Sequence, residues 1–129
     1  MKSTTAFSLL QIVRALHFSE KGLRRAWRDE AAFRQELALM AVMAPLTVWL
    51  QVPRLDTLLL LTLMALVLIV ELLNSGLEAV VDKTTPELHD LAAKAKDCGS
   101  AAVFVALVTL GGAWLTLAGP TLWGRLTTP

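Results

Sequence analysis

The 129-residue sequence contains no Tyr, one Cys and few charged residues, which make up 18% of the chain. The lone Cys98 cannot form a disulfide within the chain, and no Cys or His spacing around it indicates a zinc site. Hydrophobic residues make up 55% of the sequence, and the mean hydropathy is +0.58. These values are too high for an ordinary soluble domain of this size. The composition therefore predicts a single integral-membrane domain over residues 1–129.

The sequence also lacks a basic charge excess, which would indicate nucleic-acid binding, and a glycine-rich loop, which would indicate nucleotide binding. The net charge of +1 gives no overall basic field, so nucleic acid is not an expected partner. The sequence has neither a Gly-x-x-x-x-Gly-Lys loop nor the Gly-rich loop of protein kinases. Any bound nucleotide must therefore be held by a metal, lysine or helix ends.

The hydrophobic pattern predicts an all-α membrane protein. Residues 5–28 have the spacing of an amphipathic helix, with bases on one face and Leu and aromatic residues on the other, which suits a membrane surface. Three longer apolar segments are predicted to span the bilayer, with a cytoplasmic loop at 83–97 between the last two. Their predicted bounds are 31–50, 56–82 and 98–119.

Smaller signals refine this outline. Pro45 lies inside the first span and is expected to bend it. Trp49, Trp114 and Trp123 fit an interfacial belt at one membrane surface. Seven Lys and Arg lie in residues 1–34 and three in residues 83–96, which is ten of the twelve. This bias predicts that the N-terminus and the 83–97 loop are cytoplasmic.

The second span ends in a stripe of polar side chains. Glu71, Asn74, Glu78 and Asp82 stand at i, i+3, i+7 and i+11, which places them on one helical face. Glu71 falls at membrane depth, where an ionisable group is costly and usually has a function. A carboxylate there suits a general base for an alcohol, and further Glu oxygens suit Mg²⁺. Glu30 is predicted to lie at the same level.

The spacing alone leaves three interpretations open. The stripe indicates phosphoryl transfer if the acids hold a metal and a nucleotide. Alternatively, the acids pair with Arg34, Lys94 or Lys96 in a structural network without catalysis. A third possibility is an ion or proton pathway in a non-enzymatic transport or assembly subunit.

Three motifs resemble a known family. "EAAFRQE", "ELLNSGLEAVVD" and "AKDCGSAAV" occur in this order, and over residues 5–118 the sequence resembles the bacterial integral-membrane diacylglycerol kinases. The resemblance implies a homotrimer of three-span subunits with an N-terminal surface helix, in the bacterial inner membrane. It also implies transfer of phosphate from ATP to diacylglycerol, with Mg²⁺, giving phosphatidic acid.

The same resemblance implies roles for individual residues. Glu71 matches the catalytic base and Asn74 its polar partner, whereas Glu30 and Glu78 match the metal ligands. The positions that match ATP-binding residues are Gln11, Phe18, Glu30, Glu78, Asp82, Glu87, Leu88, His89, Lys96 and Asp97. The positions that match the lipid-substrate site are Gln11, Trp27, Ala32, Phe33, Arg34, Gln35, Glu36, Glu71 and Ser100.

The sequence departs from the family pattern at four positions. Gln11 replaces an Arg, Phe18 and Leu88 each replace a Tyr, and Glu20 replaces a Trp. Each change removes or alters a polar contact, so we expect altered affinity rather than lost chemistry. The alternative within the enzyme class is an undecaprenol kinase, which shares the acidic stripe but phosphorylates a polyprenyl alcohol.

Overall fold

The computed structural model describes residues 9–84 and 89–127, in which five helices are joined by short connections and no strand is present. The five helices are α1 (Leu9–Asp29), α2 (Ala31–Trp49), α3 (Arg54–Thr84), α4 (Asp90–Leu117) and α5 (Gly119–Thr127). Helices α2, α3 and α4 are long and apolar enough to cross a membrane. The predicted all-α fold with three candidate spans is confirmed.

Helices α1 and α2 are separated by one residue. Glu30 leaves the helical conformation, with φ −107° and ψ 113°, so α1 ends before it and α2 begins after it. Arg34 of α2 donates hydrogen bonds to the carbonyl oxygens of Trp27 at 2.8 Å and Arg28 at 3.1 Å. These bonds satisfy carbonyl groups that the end of α1 leaves open. Arg34 therefore fixes the joint between the two helices.

Helix α2 continues through Pro45 and ends in a tight turn. Leu50 is the C-cap residue, and Gln51 adopts a left-handed conformation with φ 58°. The Gln51 N–H donates to the carbonyl of Val48 at 3.0 Å. This left-handed residue turns the chain back so that α3 can start at Arg54 and run antiparallel to α2.

The polar connection between α3 and α4 is shorter than the sequence predicts. Helix α4 begins at Asp90 rather than at residue 98, so residues 90–97, which were assigned to the 83–97 loop, are helical. The imidazole Nδ1 of His89 accepts a hydrogen bond from the Leu91 N–H at 3.2 Å. Asp90 in the first turn also interacts favourably with the helix dipole. Hydropathy detects the apolar part of α4 only, because these first two turns are polar.

The core of the bundle lies where α3 packs against α4 and α2. One cluster contains Met40, Met64, Val67, Ala106 and Leu110, and a second contains Leu50, Val52, Leu60 and Ala118. Trp114 contacts both clusters. Its indole N–H donates to Thr47 Oγ1 at 3.0 Å, and Thr47 is fully buried. Trp114 is half-buried and bonds to α2 two residues before Trp49, where that helix ends, so its interfacial position stays a prediction.

A short fifth helix follows α4 and was not predicted. Ala118 is the C-cap of α4, and Pro120 stands in the first turn of α5. Proline has no N–H, so it cannot continue the hydrogen-bond ladder of α4 but is tolerated at a helix start. The helical hydrogen-bond ladder is therefore interrupted at Pro120, and α5 is a separate helix.

Candidate functional site: an acidic cluster at one end of the bundle

Three carboxylates gather where α1, α2 and α3 meet. We call this region the acidic end and the α2–α3 turn the opposite end. Glu71 on α3 is only 3% exposed, whereas Glu30 and Glu78 are half-buried. The charges of Glu30 and Glu78 both act on the Glu71 carboxyl. The structure therefore brings together the residues predicted as base and metal ligands.

A fourth carboxylate lies beside this group. Glu36 on α2 is 7% exposed, its charge interaction is with Glu71, and its Oε2 is buried without a hydrogen-bond partner among the described residues. Unpartnered buried carboxylate oxygens are costly and usually serve a ligand or a proton. Glu36 was predicted to contact the lipid substrate, and its position beside Glu71 is compatible with that role.

Asn74 connects the acidic cluster to α4. Its amide nitrogen donates to Glu78 Oε1 at 3.4 Å, and its Oδ1 is buried without a partner in the described part of the chain. The Oδ1 lies against the Cα of Gly99, where any Cβ would clash with it. A larger residue at position 99 would therefore have to displace the Asn74 side chain.

Ion pairs account for only the outermost member of the stripe. Lys96 Nζ lies 3.0 Å from Asp82 Oδ1, and this pair links α3 to α4. Among residues 9–84 and 89–127, no salt bridge engages Glu30, Glu71 or Glu78. Arg34 is bonded to backbone carbonyls instead. Within the described part of one chain, Asp82 is thus the one member of the stripe that forms a salt bridge.

Glu30 lines a cavity between α1 and α3. The cavity has a volume of about 420 Å³, and its walls include Gly22, Ala26, Glu30, Ser75, Gly76 and Ala79. Arg25 and Asp29 also line it. Hydrogen bonds from the Arg28 guanidinium, 2.7 and 2.9 Å long, hold the pKa of Asp29 below its usual range. Asp29 thus stays ionised at neutral pH, and its charge is balanced by that of Arg28.

An apolar groove of about 500 Å³ adjoins the α1–α3 cavity. Its lining includes Trp27 of α1, Phe33 and Leu37 of α2, and Leu68 of α3. Leu23 and Leu72 line both the groove and the cavity. A molecule with a polar end and an acyl chain could therefore place the two parts in adjoining spaces.

The remaining predicted residues are more scattered. Gln11 and Phe18 are exposed on α1, before the turn that lines the cavity, and Ala32 and Gln35 are exposed on α2. Asp97 and Ser100 are exposed on α4. His89 serves as the N-cap of α4. Glu87 and Leu88 lie outside the described residues.

The sequence analysis did not identify the small residues that form the α1–α3 cavity. Gly22 and Ala26 stand four residues apart on α1, as do Ser75 and Ala79 on α3. Their small side chains leave open space between α1 and α3, and an added Cβ at Gly22 or Gly76 would meet nothing within 4 Å. Ser75 Oγ is also buried without a partner among the described residues.

The carboxylates of Glu30 and Glu78 suit a cation whose remaining ligands are water and a bound substrate. Within residues 9–84 and 89–127, no three His, Cys, Asp or Glu side chains are arranged to hold a metal by themselves. Magnesium usually takes one or two carboxylates and completes its shell with water and substrate phosphates. Two unpaired Glu side chains fit that requirement.

These features define a multi-pass helical membrane protein with an acidic, partly desolvated site at one end of its bundle. The family model of prokaryotic diacylglycerol kinase matches residues 17–118. The diacylglycerol kinase of Escherichia coli strain K12 is 44% identical over 123 residues, which cover 95% of this chain and 96% of the relative. That of Pseudomonas aeruginosa is 45% identical over 109 residues, covering 84% and 89%. That of Helicobacter pylori strain 26695 is 39% identical over 115 residues, covering 89% and 83%.

The chain belongs to the prokaryotic diacylglycerol kinase family. It is therefore an enzyme of a kinase family, as the resemblance implied, and not a non-enzymatic transport or assembly subunit.

Proposed function

We propose that the protein transfers the γ-phosphate of ATP to the primary hydroxyl of diacylglycerol and forms phosphatidic acid and ADP. The observation that supports this most directly is the set of carboxylates Glu30, Glu71 and Glu78, which form no salt bridge with a described residue. Kinases need negative groups of this kind for a metal–nucleotide complex and for a base.

Glu71 is the proposed general base. It is 3% exposed, so few water molecules compete with a substrate hydroxyl for its oxygens. The base accepts the hydroxyl proton as the alcohol oxygen forms its bond to the γ-phosphorus and the bond to ADP breaks. Direct in-line transfer of this kind needs no phosphorylated enzyme. Asn74 positions Glu78 through its 3.4 Å hydrogen bond.

Glu30 and Glu78 are the proposed ligands of Mg²⁺. When bound, the ion supplies positive charge for the ATP phosphates. Glu30 is free for this role because its side chain makes no cap hydrogen bond at the start of α2. Lys96, Asp82, Asp97 and His89 are proposed to contact the nucleotide, with Gln11, Phe18, Glu87 and Leu88 as further candidates from the family pattern.

The lipid is proposed to enter from the bilayer through the apolar groove. Trp27 and Phe33 would contact its acyl chain, since both line the groove, and its polar end would reach Glu36 and Glu71. Ala32, Arg34, Gln35 and Ser100 are the remaining candidates for substrate contacts. Arg34 also fixes the joint beside Glu30, so its substitution would affect more than binding.

The assembly and its orientation are part of the same proposal. We place the acidic end in the cytoplasm of the bacterial inner membrane, because most Lys and Arg residues lie at that end. In the apolar stretch of each helix, only 6% of α4 and 22% of α3 is buried inside the chain. Much of both helices is thus available for contacts with lipid or with other copies, which leaves room for the homotrimer that the family pattern implies.

The test is phosphate transfer from γ-labelled ATP by the purified protein in bilayers. Diacylglycerol and undecaprenol are supplied in parallel at equal mole fraction, with a lipid-free control. We expect labelled phosphatidic acid and much less labelled polyprenyl phosphate. Faster transfer to undecaprenol would identify undecaprenol, rather than diacylglycerol, as the preferred substrate. The absence of transfer to either lipid would refute the proposed lipid phosphorylation.

A further inference from the structure

The short helix α5 has two different faces. The face toward the bundle contains Leu122, which packs against the cluster of buried residues at the opposite end. It also contains Arg125, whose guanidinium carbon lies 4.8 Å from the Trp49 ring centroid. Arg125 Nη2 donates to the carbonyl of Leu50 at 3.4 Å. These contacts hold α5 against the end of α2.

The outward face of α5 is apolar and uncovered. Trp123 and Leu126 are three residues apart, so they lie on one side of the helix, and they are 70% and 75% exposed. This face continues the exposed surface of α4, where Leu115 is 69% exposed. Since α4 is long and apolar enough to cross a membrane, the surface that continues from it lies where the hydrocarbon ends.

We infer that α5 is an interfacial helix that binds the membrane surface opposite to the acidic end, with Trp123 and Leu126 inserted below the headgroups and Arg125 bound to the phosphate of an anionic phospholipid. A helix with Trp and Leu on one face and a base on the other is suited to this position.

Arg125 is suited to phosphate because its position is fixed and its donors are not used up. A guanidinium has five N–H groups, and the described contacts of Arg125 with protein acceptors use one of them. The ring of Trp49 restrains the side chain, so that little freedom is lost when an anion binds. Arg54, the exposed first residue of α3, provides a second base at the same end.

The inference does not depend on the proposed kinase reaction. Helix α5 begins at Gly119, just beyond residues 17–118 that the family model matches. It also lies at the far end of α3 from Glu71. The two proposals can therefore fail separately.

Nitroxide labelling can test the insertion of α5. Cys98 is the single cysteine, so Cys98→Ser provides a background in which Leu126→Cys or Gln51→Cys accepts the label. Gln51 is exposed at the same end and serves as the matched control. Collision rates with oxygen and with a water-soluble nickel chelate are measured in phosphatidylcholine bilayers containing phosphatidylglycerol.

We expect the label at position 126 to collide mainly with oxygen and the label at position 51 mainly with the nickel chelate. If the labels at positions 126 and 51 had equal collision rates with the nickel chelate, α5 would lie in water. Shielding from both reagents would indicate that protein covers the helix. Either result overturns the inference.

A second experiment tests the proposed contact between Arg125 and the phospholipid phosphate. The preference of the protein for spin-labelled phosphatidylglycerol over phosphatidylcholine should fall about threefold in Arg125→Gln and be restored in Arg125→Lys. Lys94→Gln is the control, because Lys94 is exposed near the start of α4, at the acidic end. An unchanged preference in Arg125→Gln, or an equal fall in the control, would overturn the phosphate contact.

Discussion

The side chain of Asn74 occupies the space where a Cβ on Gly99 would stand. The contact joins α3 to α4 beside Glu78, which receives a hydrogen bond from the same amide at 3.4 Å. Position 99 is therefore linked to the proposed metal ligand through one side chain.

Gly99→Ala should displace Asn74 and lower kcat by roughly tenfold, equivalent to about 1.4 kcal/mol of transition-state stabilisation. Gly112→Ala on the same helix is the control, since a Cβ at Gly112 meets nothing within 4 Å. The check is phosphate transfer under saturating ATP and lipid. Equal kcat in the two variants would show that the position of Asn74 does not affect phosphate transfer.

Glu71→Gln should reduce kcat by at least about a hundredfold, because the amide cannot accept the hydroxyl proton. ATP binding should remain near its original affinity, since the nucleotide is held by other residues. Equilibrium binding and turnover are measured on the same preparation. Glu20→Gln, on the exposed face of α1, is expected to retain activity. Near-native turnover in Glu71→Gln would exclude Glu71 as the base.

Glu30→Gln and Glu78→Gln should each raise the Mg²⁺ concentration needed for half-maximal activity. Loss of one carboxylate ligand leaves water in its place and weakens the cation site. Titration with Mg²⁺ at fixed ATP provides the measurement, and chelation should abolish activity reversibly. Asp90→Asn is the comparison, because Asp90 is exposed at the start of α4. An unchanged Mg²⁺ requirement in both Glu variants would rule out this ligand pair.

Lys96→Ala should raise the KM for ATP without much loss of stability. The pair with Asp82 is partly exposed, with side chains 40% and 64% accessible, and such pairs contribute at most about 1 kcal/mol. Lys94→Ala, two residues away on the other side of the helix and exposed, is the control. We would abandon a nucleotide role for Lys96 if its substitution lowered stability but left the KM for ATP unchanged.

Thr47→Val should destabilise the bundle by about 1–2 kcal/mol, because it leaves the indole N–H of Trp114 without its acceptor at 3.0 Å. Reversible unfolding in mixed micelles is the measurement. Thr109→Val is the control, since Thr109 is exposed and bonds only to the Val105 carbonyl. The double variant Thr47→Val, Trp114→Phe should recover part of the loss; full additivity would argue against the hydrogen bond.

The spans and the acidic stripe could be predicted from sequence because hydropathy and helical spacing are local properties. The spacing of Glu71 and Glu78 places them on one face whatever the helix packs against. The contact of Asn74 with Gly99 could not be predicted in this way, since it depends on the relative position of two helices. Helix α5 was missed because hydropathy detects apolar length, and α5 has nine residues.

The position of Glu30 has a mechanical consequence. One extended residue forms the joint between a surface helix and a spanning helix, and the Arg34 bonds tie the last turn of the first to the first turn of the second. A change in how deeply α1 sits among the headgroups therefore tilts the Glu30 carboxylate relative to Glu78. If α1 lies at the membrane surface and Glu30 binds the cation as proposed, bilayer thickness would then alter the geometry of the proposed cation site.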